Sequence, residues 1–472
     1  MRASLIWNAT NFAVSQAASA AIFFILAAQL PPAVFGVLAL AIVLTDLIAS
    51  QGRSAMTDAI VQSQDYSRPS LDAAFWCGMG ICALAAAALI GLRDPIAAAF
   101  KAPELAAVLT PIAAVLLLTP ALAVMEAIVL RDLDFRTLNL RNMVGVFVSG
   151  ALALGVVFSP AREWAFVVQR VTQAIVSYLF LFLSTRWTPG LAAAPARILE
   201  FARRAGPIWA VQGLNVAGAR VTETIVGLRL GAADLAVVRV AGKFFEILHG
   251  SLTGAVMAVW LPVLSRLRDD PEGARGFFLR VMSLAAMLVI PAQLGLGLVA
   301  PEITRLFLSA DYAQAAPLIA IISLGAFFVP MSFFRAPILV ARNWSGLGAA
   351  LAIIDLIAGA AAIYLFAAGG LVQAYLALAA VWFVLNPISG LIICRAARAP
   401  FGAYLRAIAP AYGGALLMAA ATFAVRPLLA DAPAWAALIA IASTGALVYA
   451  AYLLIFHRLD VVANVAFLRR RG

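Results

Sequence analysis

The chain has 472 residues, of which 64% are hydrophobic and only 12% are charged. A soluble domain needs far more polar surface than this composition provides, so ordinary soluble enzymes and binding modules are excluded. The net charge of +11 is typical of loops that face an anionic membrane surface and does not indicate a nucleic-acid partner. The sequence therefore predicts an integral membrane protein.

Apolar stretches long enough to cross a bilayer recur along the whole chain. A helix needs roughly 20 such residues to span the hydrocarbon core, and none of the stretches alternates with the period of two expected of a barrel strand. The predicted fold is all-α, with about 14 transmembrane helices. The predicted segments are 5–29, 35–60, 71–92, 105–130, 141–158, 163–184, 205–228, 235–260, 277–300, 313–335, 345–366, 371–394, 404–424 and 434–456.

The basic residues predict how these helices are oriented. If the N-terminus is cytoplasmic, most arginines fall in cytoplasmic segments, among them 131–141, 186–204 and 266–280. Cytoplasmic loops carry the excess of basic residues in membrane proteins. Both termini are therefore predicted to lie in the cytoplasm.

The connections on the opposite side are short, and the longest are 93–104 and 300–312. A membrane polymerase acting on lipid-linked sugars would be expected to have a larger outer loop with acid–base residues. The sequence also has no nucleotide-binding motif and no metal-ligand spacing. These features favour a secondary transporter, or a purely structural membrane protein, with no catalytic residue, cofactor or metal.

A weak internal repeat favours transport. The segment "RASLIWNATNF" (2–12) resembles "RRAGPIWAVQG" (203–213), and "QLPPAVFGVLALA" (29–41) resembles "RLGAADLAVVRVA" (229–241). Both copies begin on the cytoplasmic side, as expected of parallel repeats related by an axis along the membrane normal. The predicted organisation is an N-lobe of six helices, a C-lobe of six helices, and a C-terminal helix pair with a basic tail. The corresponding ranges are 1–190, 191–396 and 397–472.

Several motifs, taken in their order along the chain, resemble one family. They are "LPPAVFGVLALAIVL", "VLRDLDFRTL" (129–138), "RLGAADLAVVRVAGK", "WLPVLSRLRDD" (260–270) and "PEITRLFLSADYAQAAPLI" (301–319). They are similar to those of the polysaccharide and oligosaccharide flippases, in the exopolysaccharide and colanic-acid branch of the multidrug/oligosaccharidyl-lipid/polysaccharide exporter superfamily.

This resemblance implies two six-helix lobes around a central cavity in a bacterial inner membrane. It also implies alternating access that moves a polyprenyl-diphosphate-linked oligosaccharide from the inner to the outer leaflet. The implied partners are this cargo, membrane lipids, and a polymerase with other polysaccharide-assembly proteins.

Charged residues inside the predicted helices are the candidate site residues. Arg239, Lys243 and Glu246 are spaced i, i+4, i+7, so they share one helix face. Charges at the bilayer centre are costly and are expected to face an interior or a wet cavity. Arginine forks and lysine ammonium groups both suit phosphate oxygens. The predicted substrate-binding residues are Arg53, Arg220, Arg239 and Lys243.

Carboxylates within the helices could bind a coupling ion. They are Asp46, Asp58, Glu126, Glu246 and Asp355, because membrane carboxylates commonly bind protons or sodium ions. The predicted ion-coupling residues are Asp46, Glu246 and Asp355.

The alternative is that the charges form internal ion pairs and fix how helices pack. The expected pairs are Arg220 with Glu223, Lys243 with Glu246, and Asp46 with Arg53, and Arg170 and Arg335 are further possible partners for the carboxylates. The sequence leaves both readings open.

Two other functions compete with a flippase. A multidrug extruder of the same superfamily should have a cavity dominated by carboxylates and aromatic rings, whereas the candidate cavity faces carry at least as many cations as anions. A membrane polysaccharide polymerase is the less favoured alternative because the outer loops are short.

Overall fold

The computed structural model contains only helices as regular secondary structure within the residues it describes. These are residues 2–458 except 64, 191–192, 267–270, 326, 328–334, 336–337, 340–341 and 343. Some helical side chains also lie outside the description: 2–13, 47, 50–51, 208, 210–212, 214–217, 219, 253–266, 271, 274 and 345.

The chain divides into two compact units, Met1–Ala236 and Val237–Gly472, and the boundary lies inside one helix, α10. The first unit contains α1 (Arg2–Gln29), α2 (Pro32–Gln62), α3 (Arg68–Gly91), α4 (Arg93–Ala99), α5 (Leu105–Ala114), α6 (Thr119–Arg131), α7 (Phe135–Val157), α8 (Ala165–Thr185), α9 (Pro195–Arg229) and the start of α10 (Ala232–Arg266).

The second unit continues α10. It also contains α11 (Pro271–Leu298), α12 (Ala300–Phe307), α13 (Ala315–Gly325), α14 (Ser345–Phe366), α15 (Leu371–Ala396), α16 (Phe401–Val425) and α17 (Ala434–Phe456). Short 3₁₀ turns occur at 115–118, 162–164, 310–312, 367–369 and 426–429.

The fold class is that of an all-α membrane protein with about 14 transmembrane helices, as predicted. Nine described spans are long and apolar enough to cross a bilayer, and Val14–Gln29 and Pro32–Asp46 are shorter apolar helices. The predicted segments coincide with α1, α2, α3, α5 with α6, α7 to α11, and α13 to α17. The last part of the predicted 313–335 segment lies largely outside the described residues. The lobe boundary at 190 stays a prediction, and α9 packs against α2 and α3 within the first unit.

Local sequence explains where the helices begin and end. Proline occupies the first turn of α2 and of α9, where its missing N–H needs no helical acceptor. Gly370 adopts a φ of 91° between α14 and α15, a conformation that glycine adopts without a steric penalty. Asp134 caps α7 by accepting a hydrogen bond from the Thr137 amide at 3.1 Å. As a result, α7 begins six residues before the predicted segment at 141.

Each unit has its own packed interior. In the first, Phe75, Met125 and Leu181 belong to one buried cluster, and in the second, Phe278 and Tyr404 belong to another. Lipid chains are as apolar as leucine, so helices in a bilayer associate through close packing and hydrogen bonds more than through burial from water. Glycine permits the closest approach: a Cβ on Gly36 of α2 would overlap the backbone carbonyl of Ala232 at the start of α10.

Candidate functional site

The candidate site in the first unit is organised around α2. Asp46 and Arg53 are seven residues apart, so they lie on the same face of this helix. At 1.5 Å per residue, Asp46 lies about 21 Å from the start of α2 and Arg53 about 10 Å further along. Because α2 packs against α6 and α9, both side chains meet groups on neighbouring helices.

Arg53 belongs to a three-residue group that we call the Glu126 cluster: Arg53, Glu126 and Arg141. The Nε and Nη2 atoms of Arg53 both lie 2.6 Å from Oε2 of Glu126 on α6. Nη1 of Arg141 on α7 lies 3.1 Å from the same oxygen. Two guanidinium groups therefore share one carboxylate, and the cluster carries a net positive charge.

Arg141 is the most enclosed member of the Glu126 cluster. It is only 4% exposed, and its Nη2 donates a 2.7 Å hydrogen bond to Oδ1 of Asn142. Its Nε is buried without a hydrogen-bond acceptor. Arg53 is more accessible than Arg141, so Arg53 is the cation of this cluster that an incoming anion reaches more easily.

A second group, the Asp46 cluster, contains Asp46, Arg170, Arg220 and Glu223. Asp46 forms an ion pair with Arg170 of α8 and accepts a longer contact of 3.7 Å from Nη2 of Arg220 on α9. Nη1 of Arg220 is 2.7 Å from Oε2 of Glu223, one turn along the same helix. This cluster joins three helices and balances two cations with two anions.

The two clusters place four arginines and three carboxylates among long apolar helices. An isolated charge at the centre of a bilayer costs roughly 3 kcal/mol on insertion scales, so intramembrane ionisable groups are functional candidates by default. Pairing offsets much of that cost. The Glu126 cluster nevertheless keeps one positive charge in excess, and the arrangement therefore favours a negatively charged ligand.

The second unit contains the stripe of Arg239, Lys243 and Glu246 on α10. Nζ of Lys243 lies 3.5 Å from Oε2 of Glu246 on the same helix. The lysine side chain is 28% exposed and the glutamate 59%. Arg239 is half-buried one turn before the lysine. This ion pair is longer than the Arg53–Glu126 and Arg220–Glu223 pairs of the first unit, and its carboxylate is more exposed than theirs.

Asp355 of α14 forms an ion pair in the second unit. Its Oδ2 lies 2.6 Å from Nη2 of Arg335, and Nη1 of Arg335 is 3.0 Å from the Ser389 hydroxyl on α15. Arg335 thus connects α14 and α15. It is one of the two arginines that the sequence offered as partners for the membrane carboxylates, and it is the observed partner of Asp355.

Most of the ion pairs expected from the sequence are present, and one expectation is wrong. Arg220 with Glu223, Lys243 with Glu246 and the Asp46–Arg170 contact all occur. Arg53 does not pair with Asp46, because α2 packs against α6 at that level and presents Arg53 to Glu126. Substrate binding by Arg53, Arg220, Arg239 and Lys243 stays a prediction, as does ion binding by Asp46, Glu246 and Asp355.

Arg141 is the residue that the sequence reading missed. It was expected in a basic cytoplasmic segment, whereas the structure buries it two turns inside α7. The signal that could have found it is the sequence "DFRT" (134–137). Aspartate is a favoured N-cap residue because its side chain can accept a hydrogen bond from the amide three residues later, and a start at Phe135 moves Arg141 into the helix interior.

These features define a class: a multi-span helical membrane protein whose first unit has a charged interior. A family described as "Polysaccharide biosynthesis protein" matches residues 25–317, which is more than half of the chain. The chain belongs to that family.

Two named relatives align with this chain. The succinoglycan biosynthesis transport protein ExoT of Rhizobium meliloti (strain 1021) is 25% identical over 311 residues, which cover 66% of this chain and 63% of ExoT. The lipopolysaccharide biosynthesis protein WzxC of Escherichia coli (strain K12) is 21% identical over 296 residues, which cover 61% of this chain and 59% of WzxC. The alignments span less than two thirds of either relative.

Solved structures share the fold. The lipid II flippase MurJ, in an inward closed conformation, superposes with a TM-score of 0.74 at 15% identity and covers 97% of this chain and 100% of its own. An inward-facing multidrug resistance MATE family transporter of the MOP superfamily superposes with a TM-score of 0.67 at 14% identity, covering 81% of this chain and 94% of its own. Identity this low supports the fold and no more.

Proposed function

We propose that this protein flips a polyprenyl-diphosphate-linked oligosaccharide from the inner to the outer leaflet of a bacterial inner membrane, for exopolysaccharide or lipopolysaccharide assembly. The transport step is alternating access and involves no covalent chemistry, so the protein is not an enzyme. Both termini face the cytoplasm. A polymerase and other polysaccharide-assembly proteins receive the cargo.

The observation that carries this proposal is the Glu126 cluster. A diphosphate is an anion that cannot cross hydrocarbon unless fixed cations replace its hydration. Two arginines that share a single carboxylate supply a net positive charge inside the membrane helices. Guanidinium groups bind phosphate oxygens through two parallel hydrogen bonds.

The family and relatives support the same cargo class. The family is described as a polysaccharide biosynthesis protein, ExoT is named a transport protein for succinoglycan biosynthesis, and MurJ is named a lipid II flippase. The MATE likeness supports the fold shared with a multidrug extruder. The positive excess of the Glu126 cluster argues against organic cations, which would be repelled there.

Reconstitution tests the proposal directly. The purified protein would be placed in liposomes that contain a fluorescent polyprenyl-diphosphate oligosaccharide, and transfer would be followed by a membrane-impermeant quencher outside. We expect transfer of the diphosphate-linked lipid and much slower transfer of a neutral polyprenol-linked oligosaccharide. Transfer of organic cations such as ethidium without transfer of the diphosphate lipid would contradict the proposal and favour the multidrug extruder.

Arg53 allows a test of the cluster that preserves the fold. In Arg53→Ala, Glu126 still accepts from Arg141 at 3.1 Å, so no carboxylate is left unpaired. Loss of a charge-assisted contact to cargo costs about 1.5–3 kcal/mol, so transport should fall at least about tenfold. Arg53→Lys should restore part of it. Arg93→Ala is the matched control, because Arg93 is an exposed arginine outside the cluster and its loss should leave transport unchanged.

Lys243 tests the predicted site of the second unit separately. Lys243→Ala should reduce transport if the lysine binds cargo, and Lys243→Arg should recover part of it. If the lysine serves only its pair with Glu246, the double change Lys243→Ala with Glu246→Ala should restore transport. Full recovery in the double variant would exclude Lys243 from cargo binding without touching the role of Arg53.

Arg220 and Arg239 complete the proposed contacts to the cargo.

We further propose that Asp46, Glu246 or Asp355 binds the coupling ion. Transport would be measured under a proton gradient and under a sodium gradient for Asp46→Asn, Glu246→Gln and Asp355→Asn. The carboxylate that binds the ion is the one whose loss makes transport insensitive to the gradient.

A further inference from the structure

The first unit contains an apolar cavity of about 600 Å³ that is separate from the two charged clusters. It lies at the end of the unit where α2, α5, α8 and α10 begin, which the sequence predicts to be the outer side. A volume in this range is typical of sites for small molecules. Its floor is formed largely by the first turns of α2 and by α5, including Val34, Val37, Leu38 and Val108.

Three charged side chains line the same cavity: Lys101, Glu104 and Glu163. All three are exposed. Among the described residues, none of the three has an ion-pair or side-chain hydrogen-bond partner. One cation and two anions therefore stand at an apolar cavity without protein groups that neutralise them.

Trp164 completes the lining on the side of α8. Tryptophan is enriched at the membrane–water interface, where its ring meets lipid and its N–H meets polar groups. Ala232 and Ala233 at the start of α10 also line the cavity, beside the close contact between Gly36 and Ala232. All lining residues belong to the first compact unit.

We infer that this cavity binds a zwitterionic phospholipid whose headgroup carries a primary ammonium, that is, a phosphatidylethanolamine. Lys101 contacts the lipid phosphate, and Glu104 and Glu163 accept hydrogen bonds from the ammonium group. The apolar floor holds the first part of an acyl chain. The site is distinct from the proposed cargo contacts and does not depend on which cargo is moved.

The charge of the lining selects this lipid among the common ones. With two carboxylates and one ammonium, the lining is net negative and disfavours an anionic headgroup such as phosphatidylglycerol. A free phosphate ion would be disfavoured for the same reason and would leave the apolar floor uncovered. Phosphatidylcholine has the same charges as phosphatidylethanolamine, but its trimethylammonium group has no N–H to donate to the carboxylates.

Lipid binding by the full-length protein tests this inference. The purified protein in detergent would be titrated with dioleoyl phosphatidylethanolamine, dioleoyl phosphatidylcholine or dioleoyl phosphatidylglycerol, and bound lipids would be counted by native mass spectrometry. We expect one preferred site for phosphatidylethanolamine. The double variant Glu104→Gln with Glu163→Gln should lose about fivefold in the preference over phosphatidylglycerol, as expected for two partly exposed ion pairs.

Two further variants make the result specific to the cavity. Asp94→Asn removes an exposed carboxylate at the same end of the unit, paired only loosely with Arg93 at 3.8 Å, and should leave the preference unchanged. Phosphatidylethanolamine with brominated chains should quench wild-type fluorescence more than that of Trp164→Phe, because Trp164 lines the cavity.

Three outcomes would overturn the inference: equal binding of phosphatidylglycerol, an unchanged preference in the glutamine double variant, or equal quenching in Trp164→Phe. If the double variant loses thermal stability without added lipid, Glu163→Gln alone is to be compared with Asp94→Asn. Transport of the diphosphate lipid in phosphatidylethanolamine-free liposomes would test the proposed function independently of this site.

Discussion

The helices α2 and α10 occupy corresponding positions in the weak internal repeat and carry charges at similar spacing, yet their charges are paired differently. Arg53 of α2 contacts Glu126, which is 73 residues away in sequence, and Asp46 contacts Arg170, which is 124 residues away. Lys243 of α10 contacts Glu246, three residues along the same helix. The first two contacts connect different helices, whereas the Lys243–Glu246 pair lies within one helix.

This difference shows that the spacing of charges along one helix does not predict which of them form ion pairs with other helices. Enclosed pairs between helices fix how those helices pack, and removing one partner leaves an uncompensated charge. An exposed pair within one helix contributes little to stability, so the loss of that pair should leave the fold largely unchanged. Each of the following changes tests this contrast.

The largest expected effect is that of Glu126→Ala. Arg53 and Arg141 would then face each other without the carboxylate that both contact, and breaking an enclosed pair costs about 3–5 kcal/mol. The protein level in membranes and the thermal unfolding temperature in detergent should both fall strongly. The matched control is Glu246→Ala on α10, which removes an exposed carboxylate. Equal effects of the two changes would show that the contrast between the helices is wrong.

Gly36→Ala tests the backbone contact of α2. The added Cβ would overlap the Ala232 carbonyl, and overpacking of this kind costs about 1–3 kcal/mol. The repeat aligns Gly36 with Ala236 of α10, so the substitution makes α2 more like α10 in sequence while destabilising it. Gly80→Ala on α3 is the control, because its Cβ would meet no atom within 4 Å. If Gly36→Ala leaves the thermal unfolding temperature unchanged, the contact between Gly36 and Ala232 is not tight.

Asp134→Ala tests the boundary that places Arg141 inside α7. Loss of an N-cap typically costs about 1 kcal/mol, which should appear as a small decrease in the unfolding temperature. Side-chain and backbone hydrogen bonds from Thr137 lower the pKa of Asp134. A lowered carboxyl pKa stabilises the fold at neutral pH, and this contribution is lost as the pH falls through that pKa. In Asp134→Ala this part of the acid sensitivity should be absent, and an unchanged acid profile would contradict the role of the cap.

The smallest expected effect on stability is that of Lys243→Ala. An exposed pair at i, i+3 on a helix contributes about 0.2–0.5 kcal/mol, so the unfolding temperature should barely change. This near-neutrality makes the transport measurement on Lys243 interpretable, since a loss of transport could not be ascribed to misfolding. A stability loss as large as that of Glu126→Ala would give Lys243 the same structural role as Glu126.

Individual residues show where sequence reasoning succeeded and where it could not. The segment 434–456 was predicted to the residue, because a polar or proline-containing boundary on each side leaves one apolar stretch of spanning length. The pair of Arg220 with Glu223 was also predictable, since residues three apart on a helix are neighbours wherever the helix lies. The pairing of Arg53 with Glu126 was not, because it depends on how α2 and α6 pack.

Taken alone, the sequence determined that this is a multi-span all-α membrane protein, because bilayer thickness sets the length and hydrophobicity of each spanning helix. It also placed Asp46, Arg53 and Arg220 inside helices, although it placed Arg141 in a loop. Only the tertiary structure decided which of those charges meet, which of them are enclosed, and which cavity collects Lys101, Glu104 and Glu163. The physical reason is that ion pairs and cavities depend on distances of a few ångströms between helices, and hydrophobic periodicity gives a helix its buried face without specifying its neighbour.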